Sequence, residues 1–143
     1  MFRNCYYSKP KPDISNIFIK DTHNVAIHIR RGDVFNGGKH ASRYSSNAEY
    51  ISLLSKHHWP QNVQFHIFSE GNEDDFKDIL QIYPYTKLHI SKDIQLTFHC
   101  LVEADVLIMS KSSFCYAAAL LNNKKVIGDF LKNWWHKPLK QWI

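Results

Sequence analysis

Two adjacent arginines followed by glycine and aspartate, in the string His28-Ile29-Arg30-Arg31-Gly32-Asp33, are the residues best suited to do chemistry. Arginine is always charged, and its planar fork of donors matches paired phosphate oxygens. Gly32 permits a backbone turn that a side chain would hinder, and Asp33 can hold one guanidinium in place. Alone, such a string describes a common surface ion pair. Here it directly follows the apolar run Val25-Ala26-Ile27-His28-Ile29, so the charges emerge at the end of a buried segment. A second segment, Met109-Ser110-Lys111-Ser112-Ser113-Phe114, reads as a strand running into a helix. Free backbone amides and about half a positive charge gather at a helix start, and small hydroxyl residues let an anion approach them. Plain N-capping by serine also accounts for that segment. Set opposite the arginines, it reads as the other half of a seat for a diphosphate.

The remaining candidates carry less. Ser69-Glu70-Gly71 follows a second apolar run and could face the same ligand, or be an ordinary turn. The acidic run Glu73-Asp74-Asp75 lacks Asp-x-Asp spacing, and carboxylates are favoured in a first helical turn in any case. Nine histidines include no pair at i, i+4 with a carboxylate partner, so no metal is expected. The tail carries Trp134, Trp135 and Trp142 among Lys132, His136, Lys137 and Lys140. That mixture fits a segment folded back over the domain better than a single-stranded nucleic-acid platform.

The elements that must position these groups alternate in type. Apolar runs at Val25–Ile29, Val63–Phe68, Lys87–Ile90, Val106–Met109 and Lys125–Gly128 read as strands. Between them lie four helical stretches. The first opens on a Ser46/Glu49 capping box and presents Tyr50, Leu53, Leu54 and His57 on one face. The second starts at Asn72, carries Phe76, Ile79, Leu80 and Tyr83, and ends at Pro84. The third begins at Asp93 and the fourth at Ser112 or Ser113. Strands alternating with helices imply an α/β domain: a five-stranded, mainly parallel, doubly wound sheet with helices on both faces. Ligands of such sheets bind beyond the carboxyl ends of the strands, where strand order reverses. With the first strand central and the fourth beside it, the two chemistry-bearing segments meet there. Residues 1–22, with Lys9-Pro10-Lys11-Pro12, read as an extended lead-in or the remnant of a preceding domain. Residues 23–128 form the ligand-binding domain, and 129–143 a segment folded onto it.

The chain has 143 residues, 44% apolar and 22% charged, with a formal net charge of +5. That supports one domain and suits an anionic ligand. No apolar run reaches the roughly 18 residues of a membrane span, and no signal-like leader is visible. Three separated cysteines, Cys5, Cys100 and Cys115, fit neither a disulfide framework nor a zinc site. The expected setting is soluble, reducing and cytoplasmic.

Three regions in order resemble a known family. His28-Ile-Arg-Arg-Gly-Asp33 is similar to the HxRR-x-D motif of fucosyltransferases that make α1,2, α1,6 or protein O-linked bonds. Phe65 to Glu70, FHIFSE, resembles their second region. Ala104 to Phe114, ADVLIMSKSSF, resembles their third. The resemblance implies the C-terminal, donor-binding half of a GT-B fold, Rossmann-like. It implies a nucleotide-sugar donor such as GDP-fucose, an inverting and metal-independent transfer, and a glycan or protein acceptor. Under it Arg30 and Arg31 contact the diphosphate, Ser113 binds phosphate with Ser112 and Phe114 alongside, and His28 lies near the base or ribose. Ser69 and Glu70 complete the donor site. The resemblance also implies an acceptor-binding half, which a partner chain could supply. Thr97 stands where family members often carry an aspartate that reads the guanine edge, with His99 close by. Asp33 and Glu70 are the candidate general bases. The competing readings are a nucleotide-sugar-binding domain without turnover and a basic module that binds nucleic acid through the tail.

Overall fold

A computed structural model describes residues 1–142. Five strands form one sheet: β1 (His23–His28), β2 (Val63–Ser69), β3 (Lys87–Ile90), β4 (Val106–Ile108) and β5 (Lys125–Ile127). Their order is β3-β2-β1-β4-β5, and every pairing is parallel. The expected "mainly parallel" sheet is therefore wholly parallel. β1 is central, with Val25 facing Phe65 on one side and Val106 on the other.

Alternation along the strands divides the core in two. Val25 and Ile27 of β1, with Ile67, Ile108 and Ile127, face α2 (Asn47–Lys56) and α3 (Lys77–Ile82) through Tyr50, Leu53, Leu54, Phe76 and Ile79. Ala26, Leu107 and Val126 face α4 (Ile94–Glu103) and α5 (Ser113–Leu121). The crossovers carry the chain outward from β1 to β3 over one face, then back across the other to β4 and β5. Strand order reverses between β1 and β4.

Local signals set the helix starts. Ser46 Oγ accepts from the Glu49 amide at 3.2 Å while the Glu49 carboxylate accepts from the Ser46 amide at 2.6 Å, a complete capping box. Asp93 accepts from the amides of Gln95 and Leu96, and Ser112 from that of Cys115. Three details depart from the sequence reading. His57 ends α2 in an extended conformation instead of sharing its face. The stretch after Asn72 begins as a 3-10 turn, Glu73–Phe76, before α3. The lead-in contains a short helix, α1 (Phe2–Tyr7), which the prolines after it gave no reason to expect. Tyr6 of α1 bonds His99 on α4, Oη to Nδ1 at 2.8 Å. Among the tail residues, Leu131, Trp134 and Trp142 are buried in the α4–α5 core.

A polar seam runs beneath the sheet. His66 is fully buried, with Nε2 on Asn24 Oδ1 at 2.9 Å and Nδ1 on His89 Nε2 at 3.0 Å. Burial pushes the His66 ring down to about 3 and the His89 ring down to about 4, so both are neutral.

Candidate functional site

The site begins at the exit of β1. His28 is buried, and its Nδ1 lies 2.6 Å from Ser110 Oγ at the exit of β4. This one contact joins the two segments, 82 positions apart, across the reversal point. Burial first, and the Arg30 charge second, push the His28 ring down to about 3, leaving it neutral.

The next two residues are held differently although they are neighbours. Arg31 is buried. Its guanidinium donates to the Arg30 carbonyl and to Asn47 Oδ1, both at 2.7 Å, and lies 4.6 Å from the Tyr44 ring centroid. Asn47 in turn donates to Asp78 Oδ1 at 2.6 Å and to the Asp75 carbonyl. A Cβ added at Gly71 would fall 2.7 Å from Arg31 Cβ, so only glycine lets the arginine stem pass. Arg30 donates one Nη2 hydrogen to Asp33 Oδ1 at 2.7 Å, and its side chain is 21% exposed. Its Nε is buried without a hydrogen-bond partner, which is costly for a charged donor unless a ligand accepts from it. Gly32, at φ +74°, makes the turn beyond the pair.

These groups open on a cavity of about 190 Å³ at the carboxyl ends of β1, β2 and β3. His28, Arg30 and Arg31 line it from β1, Ser69 and Glu70 from β2, and Thr97 and Phe114 from the starts of α4 and α5. Phe114 packs 5.8 Å from the His28 ring, centroid to centroid. Three candidates lie elsewhere. Asp33 is half exposed and paired with Arg30 outside the lining. Ser112 is buried as the cap of α5. Ser113 is exposed beside Phe114, with Oγ 3.1 Å from His136 Nε2.

Several neighbours carry no motif of their own. Ser91 and Lys92, at the exit of β3, and Ile94 also line the cavity. Ser91 has φ +49°, and its amide donates to the Ser69 carbonyl at 2.9 Å, which aims the chain across the mouth. The strand order was itself the available signal, because every β-to-α connection at this edge faces the same crevice. Asn47 carried no local signal beyond its place after a capping serine. Among the described residues, no three His, Cys, Asp or Glu side chains converge as a metal site would require. None of the described helices is long and apolar enough to cross a membrane.

Arg30, with its partnerless Nε, lines the cavity with Arg31 locked behind it, a fixed positive charge and a free donor that can pair with an anionic group such as a phosphate. No curated protein sequence matches the chain. A family model, glycosyl transferase family 11, matches residues 13–141 and so covers both cavity-forming segments and the tail. The chain accordingly belongs to glycosyl transferase family 11 and is a glycosyltransferase of the fucosyltransferase type.

Proposed function

We propose that this domain binds the nucleoside diphosphate of a GDP-fucose-type donor and supports an inverting, metal-independent transfer of its sugar. The observation that carries the reading is the buried, partnerless Nε of Arg30 beside the His28–Ser110 link. Membership of a glycosyltransferase family supports it.

In this reading an acceptor hydroxyl on a glycan or protein attacks the anomeric carbon. The bond from that carbon to the β-phosphate oxygen breaks, and negative charge collects on the departing diphosphate. Arg30 and the amides at the start of α5 stabilise that charge in place of a cation. Asp33 steadies Arg30 through the 2.7 Å ion pair. Arg31, held by Asn47, fixes the direction in which the β1 exit leaves the sheet. Ser113 contacts phosphate, and His28 and Thr97 border the ribose or base. Glu70 lines the cavity without a salt-bridge partner among the described residues, which makes it the better-placed general base, because Asp33 is committed to Arg30.

Calorimetry against GDP, UDP, GDP-fucose and inorganic pyrophosphate tests the reading. GDP-fucose and GDP are expected to bind, with UDP weaker. Arg30→Ala is expected to weaken each of them at least about tenfold, the scale of a lost charge-assisted hydrogen bond. Added EDTA is expected to leave the affinities unchanged. Equal affinities for wild type and Arg30→Ala would remove the proposal.

A further inference from the structure

The tail motif Trp134-Trp135-His136-Lys137 has no part in the transfer chemistry as described so far, yet its histidine bonds Ser113, the exposed residue just before Phe114 in the cavity wall. We infer that His136 is a positioning residue: its Nε2–H donates to Ser113 Oγ and thereby leaves the serine's own hydroxyl hydrogen free for the donor phosphate. The inference rests on the donor-binding reading above.

The ring is held on several sides. It stacks on Tyr116, one turn along α5, at 4.8 Å between centroids and 29° between planes. Trp134, 4% exposed, meets it edge-on at 4.8 Å and 78°. The Tyr116 hydroxyl donates to the Lys137 carbonyl at 3.1 Å and pins the residue that follows. Such a ring does not swing freely, so its Nε2 stays 3.1 Å from Ser113 Oγ. A serine hydroxyl has one hydrogen and two lone pairs. In a first helical turn that hydrogen readily turns back onto nearby backbone. An N–H arriving from His136 occupies a lone pair and leaves the hydrogen to point outward from the exposed side of Ser113, next to Phe114 in the cavity wall.

Two substitutions separate this role from simple packing. His136→Phe keeps an aromatic ring against Tyr116 and Trp134 but has no N–H. His136→Gln gives up the stack but places an amide N–H near the same point. Calorimetry with inorganic pyrophosphate and with GDP, alongside thermal melting, reads out both. His136→Phe is expected to weaken both ligands about fivefold, as for one lost hydrogen bond, with little change in melting temperature. His136→Gln is expected to recover most of the affinity. On a Ser113→Ala background the His136→Phe effect is expected to vanish, since coupled residues are non-additive. Full affinity in His136→Phe, or additive effects of the two substitutions, overturns the inference and leaves the donor reading intact. A wild-type chain that binds neither ligand overturns both.

Discussion

At the scale of single residues, Arg30 and Arg31 show how neighbours of identical type come to differ. The motif announced two phosphate-seeking cations, and residue chemistry alone assigned them the same work. The separation depends on contacts with Asn47, Tyr44 and Gly71, none of which is adjacent in sequence. It could not be read from the string. The neutral state of His28 was equally hidden, because it depends on how fully the ring is buried. It has a measurable consequence. His28 and His66, pushed down to about 3, and His89, pushed down to about 4, are uncharged in the fold at pH 5. The unfolded chain binds protons there, since free histidine titrates near 6.5. Unfolding therefore takes up protons, and stability falls as pH falls below about 6.5 towards the folded values. Melting temperatures recorded between pH 7 and 4 are expected to drop steadily. Proton uptake at pH 5 should shrink when His66 is replaced by Gln. A melting temperature that stays flat across that range would contradict the assignment of neutral buried rings.

At the scale of elements, the sequence was most legible where local chemistry decides. Ser46 with Glu49, Asp93, and Ser112 all cap the helices their spacing implied. Removing the hydroxyl in Ser46→Ala is expected to cost about 1 kcal/mol and lower the melting temperature by a few degrees. Boundaries that depend on tertiary packing were less legible. The 3-10 turn at Glu73–Phe76 lies beside the locked Arg31, where Asp75 accepts from the Asn72 amide at 2.7 Å and its carbonyl accepts from Asn47. That turn and the arginine clamp are one packed unit. Gly71→Ala would force its new methyl to 2.7 Å from Arg31 Cβ and 2.5 Å from Asp75 Oδ2. A loss of about 1–3 kcal/mol is expected, the usual scale of overpacking. Donor affinity should fall with it, because the clamp moves. Denaturant titration and calorimetry on the same sample check both. A stable Gly71→Ala protein with unchanged affinity would show that the clamp does not set the site.

At the scale of the whole molecule, alternating strands and helices made the layered architecture legible, and the expected position of β1 beside β4 matched the observed order. The tail was less legible. Its expected return over the domain left open which tryptophans enter the core: Trp134 and Trp142 do, and Trp135 is exposed. Trp134→Ala is expected to cost about 3–5 kcal/mol, as for other large core truncations, and a far-UV melt checks it. The central position of β1 has a further consequence for how the chain assembles. Its partner on one side arrives from residues 63–69, but the other side is filled by residues 106–108. During synthesis, the central strand must wait with one hydrogen-bonding edge bare until most of the polypeptide has left the ribosome. Non-local parallel pairing of this kind folds slowly and invites aggregation meanwhile. Yield of soluble protein should therefore respond more strongly to growth temperature and chaperone supply than the stability of the finished fold alone would imply.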